Sequence, residues 1–393
     1  MAMPISRTRS KSARSEEMSE EAKVGGYCWP YESDDDETAQ ITDMPSPEPS
    51  GDLKIPKKLG GLPVTAVHCW FEDCEDLETV SIPATVTDIE WEFSFCRGLR
   101  EFKVAAGNPA YASVDGLLLT KDGRKLISGV NRETVDIPDG VVEIGPRTFN
   151  YFEDLWNVTI PASVTKIGDE AFRACLSLQS VEIPDGVKEI GSNAFNECCS
   201  LSSLTIPASV EQIGEGAFGY CGPFESIVVA PGNPAYVVRD GFLMTKDGKT
   251  LLRGTDQKGK VVIPSGVKKI DEGAFGYFGE LTEVVIPDGA TSIGEHAFDG
   301  CCRLAEVTIP KSVTHVGEYA FNACDSLKKI KVYAGDTQRV KELLRYVVDL
   351  TSRSIEFEEI GEPRRMASKD GKKAVAPKSK GRAAKKAKRK KVV

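Results

Sequence analysis

The chain has 393 residues, 40% of them hydrophobic, and a formal net charge of −9. This length suggests two or three compact units or one elongated array, and the apolar fraction is too high for a chain that is disordered throughout. No run of 18 apolar residues occurs, which excludes a spanning helix, and three histidines leave little room for a histidine-based metal or acid–base site.

The first segment, residues 1–50, is acidic. It holds 5 basic and 11 acidic residues and is rich in Ser, Glu, Pro and Asp. Too few apolar residues are present to offset the entropy of ordering, so we expect a disordered head. No apolar stretch follows the basic residues at the N-terminus, so we expect no secretory signal and an intracellular, cytoplasmic protein.

The second segment, residues 51–360, contains a repeat of 23 residues. Ile-Pro pairs recur at this step from Ile137 to Ile206 and from Ile263 to Ile309. The unit reads L-x-x-V-x-I-P-x-x-V-x-x-I-G-x-x-A-F-x-x-C-x-x-L. Its first part alternates as a half-buried strand does, proline ends that strand, and the A-F-x-x-C part indicates a short helical or 3₁₀ turn. Because one coil cannot bury its own apolar stripe, the period predicts a mainly-β solenoid of stacked coils.

This pattern resembles the BspA-like leucine-rich repeats, in which I-P, I-G and A-F-x-x-C recur at 23 residues. The resemblance covers about residues 52–333 and implies a right-handed leucine-rich-repeat coil. Nine coils carry F-x-x-[CF], beginning at Phe71, Phe93, Phe149, Phe172, Phe195, Phe218, Phe275, Phe298 and Phe321. In three coils the glycine after Ile is replaced, by His68, Glu90 and Asp271, so those coils are expected to turn differently. Relatives are often surface or secreted adhesion proteins, and no export signal extends that role to this chain.

Two coils carry an added motif. Gly107-Asn108-Pro109-Ala110-Tyr111 is matched by the stretch 232–236, and each is followed by Asp-Gly and then Thr-Lys-Asp-Gly. Asp-Gly between short apolar strands predicts a β-hairpin, so we expect inserts at about 107–130 and 232–256. Each insert is interpreted as a lateral flap that packs on its own coil, with a ligand-binding flap as the alternative.

The solenoid requires a cap at each end. A C-terminal cap is expected at about 335–360, with Asp336 or Thr337 as the N-cap of a helix and a closing strand after it. One face of this helix would carry Val340, Leu343, Leu344 and Val347. The first coil, from Leu53 to Leu77, is expected to be the other cap.

Cysteine chemistry is not indicated. Seven of the eleven cysteines share one repeat position, namely Cys74, Cys96, Cys175, Cys198, Cys221, Cys301 and Cys324. Phe152 and Phe278 occupy the same position in two other coils, which indicates an apolar filler and a buried thiol. No zinc-ligand spacing, nucleophile–histidine pair or phosphate-binding loop occurs. The sequence therefore predicts no enzyme, catalytic residue, cofactor, metal or small-molecule substrate.

Binding of an unidentified protein through the strand face is the leading functional hypothesis, because a solenoid presents an extended surface. Three valines in the outward strand position predict an apolar strip, three tyrosines share a position at a coil edge, and one exposed tryptophan is the main hot-spot candidate. These residues are Val228, Val262 and Val285, then Tyr151, Tyr220 and Tyr277, and then Trp156.

The third segment, residues 361–393, holds 14 basic and 2 acidic residues and is expected to be disordered. Its densest cluster is Lys385, Lys386, Lys388, Arg389, Lys390 and Lys391. Such a cluster binds phosphate backbones by counterion release, so the alternative hypothesis is a nucleic-acid-associated protein that binds through this tail. The same cluster is typical of a nuclear import signal, which gives a nuclear location as the alternative in a eukaryote. A solubilising tail is also consistent with this composition.

Overall fold

The computed structural model describes residues 20–34, 36–255, 257–345 and 355–361. The chain from residue 20 to residue 104 forms the start of the array. Its strands are β1 (Glu20–Val24), β2 (Tyr27–Glu32), β3 (Ala39–Ile41), β4 (Gly51–Lys54), β5 (Lys58–Leu59), β6 (Leu62–Glu72), β7 (Leu77–Ile82), β8 (Asp88–Ser94) and β9 (Glu101–Val104).

The prediction of a disordered head is wrong for the described residues between 20 and 50. β1, β2 and β3 form an antiparallel group, and β3 pairs in parallel with β6 of the first coil. Trp29 and Tyr31 are buried against that coil. The segment has few apolar residues of its own, but the neighbouring coil supplies the rest of the core, so composition alone underestimates its order. The first coil was predicted to be the N-terminal cap, but β3 pairs with its strand β6, so the strands β1 to β3 cover that edge instead.

The first insert is an antiparallel meander of three strands. They are β10 (Tyr111–Val114), β11 (Leu117–Thr120) and β12 (Lys125–Ser128). The last of them pairs in parallel with the next coil, so the insert belongs to a sheet and is not only a lateral flap. Asn108 explains the G-N-P-A-Y motif: its side chain donates to the carbonyls of Pro83 and Val86 and accepts from the backbone N–H groups of Ala110 and Tyr111, all at 2.8–2.9 Å.

Four regular coils follow. Their strands are β13 (Thr134–Asp136), β14 (Glu143–Ile144), β15 (Asn157–Thr159), β16 (Lys166–Ile167), β17 (Ser180–Val181), β18 (Glu189–Ile190), β19 (Ser203–Ile206), β20 (Gln212–Ile213) and β21 (Ser226–Val229). Each coil gives one strand around the Val, Leu or Ile that precedes Ile-Pro or Val-Ala, and we call this set the first sheet, in which β13 pairs with β15, β15 with β17 and β19 with β21. Each coil also gives one strand that ends before Gly, and these strands form the second sheet. Both sheets are parallel, and the register steps by 23 residues, as from Lys166 to Glu189.

The second insert repeats the first, and the last coils end the described array. These elements are β22 (Tyr236–Arg239), β23 (Phe242–Thr245), β24 (Thr250–Gly254), β25 (Gly259–Val262), β26 (Lys269–Ile270), β27 (Leu281–Val285), β28 (Ser292–Ile293), β29 (Glu306–Ile309), β30 (His315–Val316), β31 (Lys329–Tyr333), α1 (Thr337–Leu343) and β32 (Glu356–Ile360). Val340 and Leu344 pack in the core, and β32 pairs with β31. The Asp336 carboxylate makes no cap bond and pairs with Arg339 at 2.7 Å. Val347 lies outside the described residues.

Phenylalanine rings form a row through the core. Phe149, Phe172, Phe195 and Phe218 stack with centroids 5.0, 5.1 and 5.7 Å apart and planes within 7°. A second row joins Phe275, Phe298 and Phe321. Each stacked pair adds about 0.5–1.5 kcal/mol beyond burial. The prediction that neighbouring coils bury one another is confirmed, and the second insert separates the two rows.

The A-F-x-x-C segment is not a 3₁₀ turn as predicted. Its i→i+3 hydrogen bonds are present, as from Cys175 to Phe172 at 3.3 Å, but Ala174 has a φ of 54°. A positive φ at the third residue is the geometry of a type II turn. The extended backbone between turns bonds to the next coil, as from the Phe172 N–H to the Ala194 carbonyl at 2.8 Å.

The glycine after Ile serves close packing. Gly168, Gly191 and Gly214 do not have a positive φ, but an added Cβ would lie 2.3–2.7 Å from the backbone of the preceding coil. Asp271 occupies this position after the second insert, and its N–H donates to the carbonyl of Leu251 at 2.9 Å. The repeat spacing of these glycines suggests turn residues, but the structure shows that they permit backbone contact between neighbouring coils.

The insert coils lack the A-F-x-x-C turn, so the turns on either side of each insert meet directly. We call these contacts the first joint and the second joint. At the first joint Asn150 donates to Glu92 at 2.7 Å, and the rings of Phe95 and Tyr151 lie 4.4 Å apart. At the second joint the rings of Tyr220 and Tyr277 form the corresponding pair, 5.1 Å apart, and Lys269 of β26 pairs with Glu215 at 2.7 Å.

Candidate interaction surfaces

Trp156 lies in a groove beside the first insert. The side chain is 49% exposed and directly precedes β15. The groove has a volume of about 730 Å³ and opens where β9 and β13 do not pair, so the insert interrupts the first sheet. Its lining residues are Arg100, Arg132, Glu133, Thr134, Asp154, Trp156 and Ser177. The structure therefore places the predicted hot-spot tryptophan in a concave and accessible position.

Two arginines are held in place beside this tryptophan. The Arg132 guanidinium donates to the Asp115 carbonyl at 2.9 Å and to the Arg100 carbonyl. Arg100 donates to the Asn131 carbonyl and pairs with Asp154 at 3.3 Å. Because backbone carbonyls fix both guanidinium groups, the groove needs little ordering when a partner binds.

The predicted valine strip is interrupted. Val262 pairs with Val285 in the first sheet, and Val262 is 59% exposed while Val285 is half-buried. Val228 is also exposed, but β21 pairs with β19 and not with β25. The second insert separates these strands, so the three valines do not form one continuous surface.

The three tyrosines share a repeat position but not an environment. Tyr151 is half-buried under the Arg173 guanidinium, which lies 5.7 Å from the ring centroid. Tyr277 is 51% exposed. Tyr220 is buried, donates to Asp299 at 2.8 Å, and has a raised pKa because of burial and that carboxylate. Tyr220 is therefore not accessible as the coil-edge anchor that the sequence predicted.

The seven repeat cysteines are buried, as predicted, and six of them also make a specific contact. Each of these six thiols donates to the carbonyl of a phenylalanine 25 or 26 residues earlier, at 3.0–3.4 Å. Burial raises the pKa of Cys221 to about 12, so this thiol stays protonated. Phe152 and Phe278 occur where the preceding coil is an insert coil without such a phenylalanine. This repeat position therefore favours the small thiol of cysteine where the preceding coil has a phenylalanine whose carbonyl can accept its hydrogen bond.

Two features were missed by sequence reasoning. Trp70 is 67% exposed and lines a cavity of about 310 Å³ at the first joint. Arg253 is fully buried, donates to the Gly222 carbonyl at 2.6 Å and lies 4.9 Å above the Phe278 ring. Burial lowers its pKa to about 10. The signal for Arg253 was a charged residue in an apolar strand of the second insert, where Ser128 stands in the first.

Other candidate chemistry is not assembled in the part of the chain that the structure describes. No group of three His, Cys, Asp or Glu side chains there is arranged to hold a metal ion. Among the described helices, none is long and apolar enough to cross a lipid bilayer. The basic cluster from Lys385 to Lys391 lies outside the described residues, so its role and the expected cellular location stay predictions.

Comparison with known proteins identifies the repeat. The BspA type leucine-rich repeat region matches in six copies at residues 65–110, 123–237 and 249–362. The chain belongs to this family. It is therefore a leucine-rich repeat protein of the BspA type, as the resemblance of its 23-residue pattern implied. No curated protein matches the chain.

Several solved structures of bacterial leucine-rich repeat proteins resemble the chain. A leucine-rich cell surface protein of Faecalibacterium prausnitzii is 23% identical, with 88% of this chain and 96% of that chain covered and a TM-score of 0.44. A leucine-rich repeat protein of Eubacterium ventriosum is 22% identical, with 81% of this chain and 73% of that chain covered and a TM-score of 0.41. A third, from Bacteroides ovatus, is 20% identical, with 84% of this chain and 98% of that chain covered and a TM-score of 0.36.

Proposed function

We propose that this chain is a non-enzymatic scaffold that binds a protein partner through its first sheet, with the groove around Trp156 as the main contact. The observation that carries the proposal is a half-exposed tryptophan in the same groove as two arginines that backbone carbonyls hold in place. Tryptophan and arginine are the residues most enriched among binding hot spots. Family membership supports the scaffold role, because stacked repeats present a surface whose outer positions vary freely.

The second insert provides an internal comparison. At the positions that correspond to Arg100, Arg132 and Trp156, the chain has Glu225, Gln257 and Thr282. The two inserts share the same strand order, so the groove is not a necessary consequence of the insert architecture. The aromatic and cationic side chains are specific to the first insert, which favours a binding role over a purely structural one.

The experiment is capture of partners by the tagged full chain in its own cell extract, followed by affinity measurement on the captured protein. Trp156→Ser should weaken binding by about thirtyfold, which is the effect of losing a hot spot of about 2 kcal/mol. Thr282→Ser is the matched control and should bind as the unchanged chain does. If Trp156→Ser retains full affinity and an unchanged circular dichroism spectrum, the groove is not the binding site.

A further inference from the structure

Three partly exposed aromatic rings follow the second insert, and the buried ring of Tyr220 connects them, with its centroid 5.1 Å from that of Tyr277 and 5.4 Å from that of His296. We call Tyr277, His296 and Tyr319 the tyrosine shelf. Tyr277 is 51% exposed and Tyr319 is 53% exposed. The His296 ring stacks on Tyr319 at 5.0 Å with planes 12° apart. Gly300 provides the space for Tyr277, because a Cβ there would lie 2.4 Å from the Tyr277 ring.

The backbone of these three residues is unfavourable for large side chains. Their φ angles are 63°, 52° and 54°, in the left-handed region. Non-glycine residues pay about 1–2 kcal/mol for this conformation. Glycine occupies the corresponding positions in other coils, as at Gly273 and Gly300. The positive φ belongs to the repeat, because Glu170 and Asn193 have it at the position of His296 and Tyr319, but the fold does not require aromatic side chains there.

The surroundings of the shelf are acidic. His296 contacts the Asp299 carboxylate at 3.1 Å. Glu272, in the coil that precedes His296, is partly buried, and burial together with Glu295 and Glu215 raises its pKa. Among the described residues, Glu272 has no hydrogen-bonding or ion-pair partner for its carboxylate. Two nearby cations are already engaged: Lys269 pairs with Glu215 and Asp271 at 2.7 and 3.0 Å, and the buried Arg253 donates to the Gly276 carbonyl at 3.3 Å.

We propose that the tyrosine shelf binds a lysine or arginine side chain of a partner protein. The faces of aromatic rings attract cations, and the methylene groups of lysine or arginine pack on the same rings. The Glu272 carboxylate, which has no ion-pair partner among the described residues, complements the charge of such a side chain. This surface is separate from the Trp156 groove, so it neither depends on that site nor replaces it.

The test uses a fluorescently labelled octapeptide of alternating lysine and glycine, titrated with the full chain and followed by anisotropy at low salt. Its counterpart with glutamate in place of lysine is the specificity control. The lysine peptide should bind and the glutamate peptide should not. Tyr277→Ala should weaken binding about threefold, and the double change Tyr277→Ala with Tyr319→Ala about tenfold, as expected for loss of one and of two ring contacts. Tyr277→Phe should keep most of the affinity, since the ring face remains.

Matched controls separate this proposal from general attraction to an acidic protein. Tyr151→Ala changes the same repeat position at the first joint and should leave peptide affinity unchanged, as should Trp156→Ser. Tyr277→Leu, checked by circular dichroism, replaces Tyr277→Ala if the alanine variant does not fold. The proposal is overturned if the unchanged chain does not bind the lysine peptide, or if loss of the Tyr277 ring leaves binding intact. A loss confined to Glu272→Gln would show a charge effect without the shelf and would also refute it.

Discussion

The phenylalanine row allows a test of stabilisation between neighbouring coils. Phe195 stacks on both Phe172 and Phe218, at 5.1 and 5.7 Å. Phe218 is equally buried, but among the described residues it stacks only on Phe195, because the second insert follows it. Leucine keeps most of the apolar volume and removes the ring. With about 1 kcal/mol for each ring pair, Phe195→Leu should destabilise the chain by about 1 kcal/mol more than Phe218→Leu.

The assay is urea unfolding followed by far-ultraviolet circular dichroism and by intrinsic fluorescence. Midpoints are compared at equal slope, since a changed slope would indicate a different unfolding reaction. Coincidence of the two signals is needed, because long repeat arrays can lose two-state behaviour. Equal destabilisation by the two substitutions, within about 0.3 kcal/mol, or a larger effect of Phe218→Leu, would refute the reasoning.

Three further predictions concern packing, thiol access and pH. Gly191→Ala should destabilise the chain by about 1–3 kcal/mol, because the added Cβ would lie 2.5 Å from the backbone of the preceding coil. Gly107→Ala is the control and should not destabilise it, because the nearest atom to the added Cβ is 3.9 Å away. Melting temperatures of the two variants test this difference. Iodoacetamide should label the exposed Cys199 and Cys302 in the native protein, and mass spectrometry should find the buried cysteines labelled only after unfolding. The hydrogen bond from Arg339 lowers the pKa of Asp336 in the folded protein. The ionised carboxylate therefore stabilises the fold at a pH above the unfolded-state pKa, and this stabilisation is lost as the pH falls through the lower folded-state pKa. Asp336→Asn should reduce stability at pH 7 and have little effect at the acid end of this window, as measured by urea midpoints across pH.

The regular part of the fold could be predicted because its physical cause lies within one repeat. The alternation before Ile-Pro and the 23-residue step were enough to place Phe172, Phe195 and Phe218 in one row. Trp156 was predicted in the exposed part of its strand, and it is half exposed directly before β15. The buried cysteines followed from their exchange with phenylalanine, although the thiol–carbonyl contact depends on the neighbouring coil and could not be derived from one repeat.

The features that could not be predicted depend on contacts with residues that lie outside the same repeat, as at the inserts and at the start of the array. Tyr220 is buried because Gly273 and Gly276, more than 50 residues later, leave space for its ring. Val228 and Val262 are separated because the second insert interrupts the first sheet between them. The strands of residues 20–41 are stable because β6 offers an edge and a core for Trp29. None of these contacts has a periodic signal in the sequence.

Engineered disulfides test the stacking of 23-residue coils most directly. Lys166 and Glu189 are register partners in neighbouring strands of the second sheet, whereas Lys166 and Gln212 are two strands apart. Neighbouring strands lie about 4.8 Å apart, within the Cα range of a disulfide, and alternate strands at about 9.6 Å are not. In a background of Cys199→Ser and Cys302→Ser, oxidation should link Lys166→Cys to Glu189→Cys and should not link Lys166→Cys to Gln212→Cys. Equal linking of both pairs, or no linking of the first, would contradict a single parallel stack.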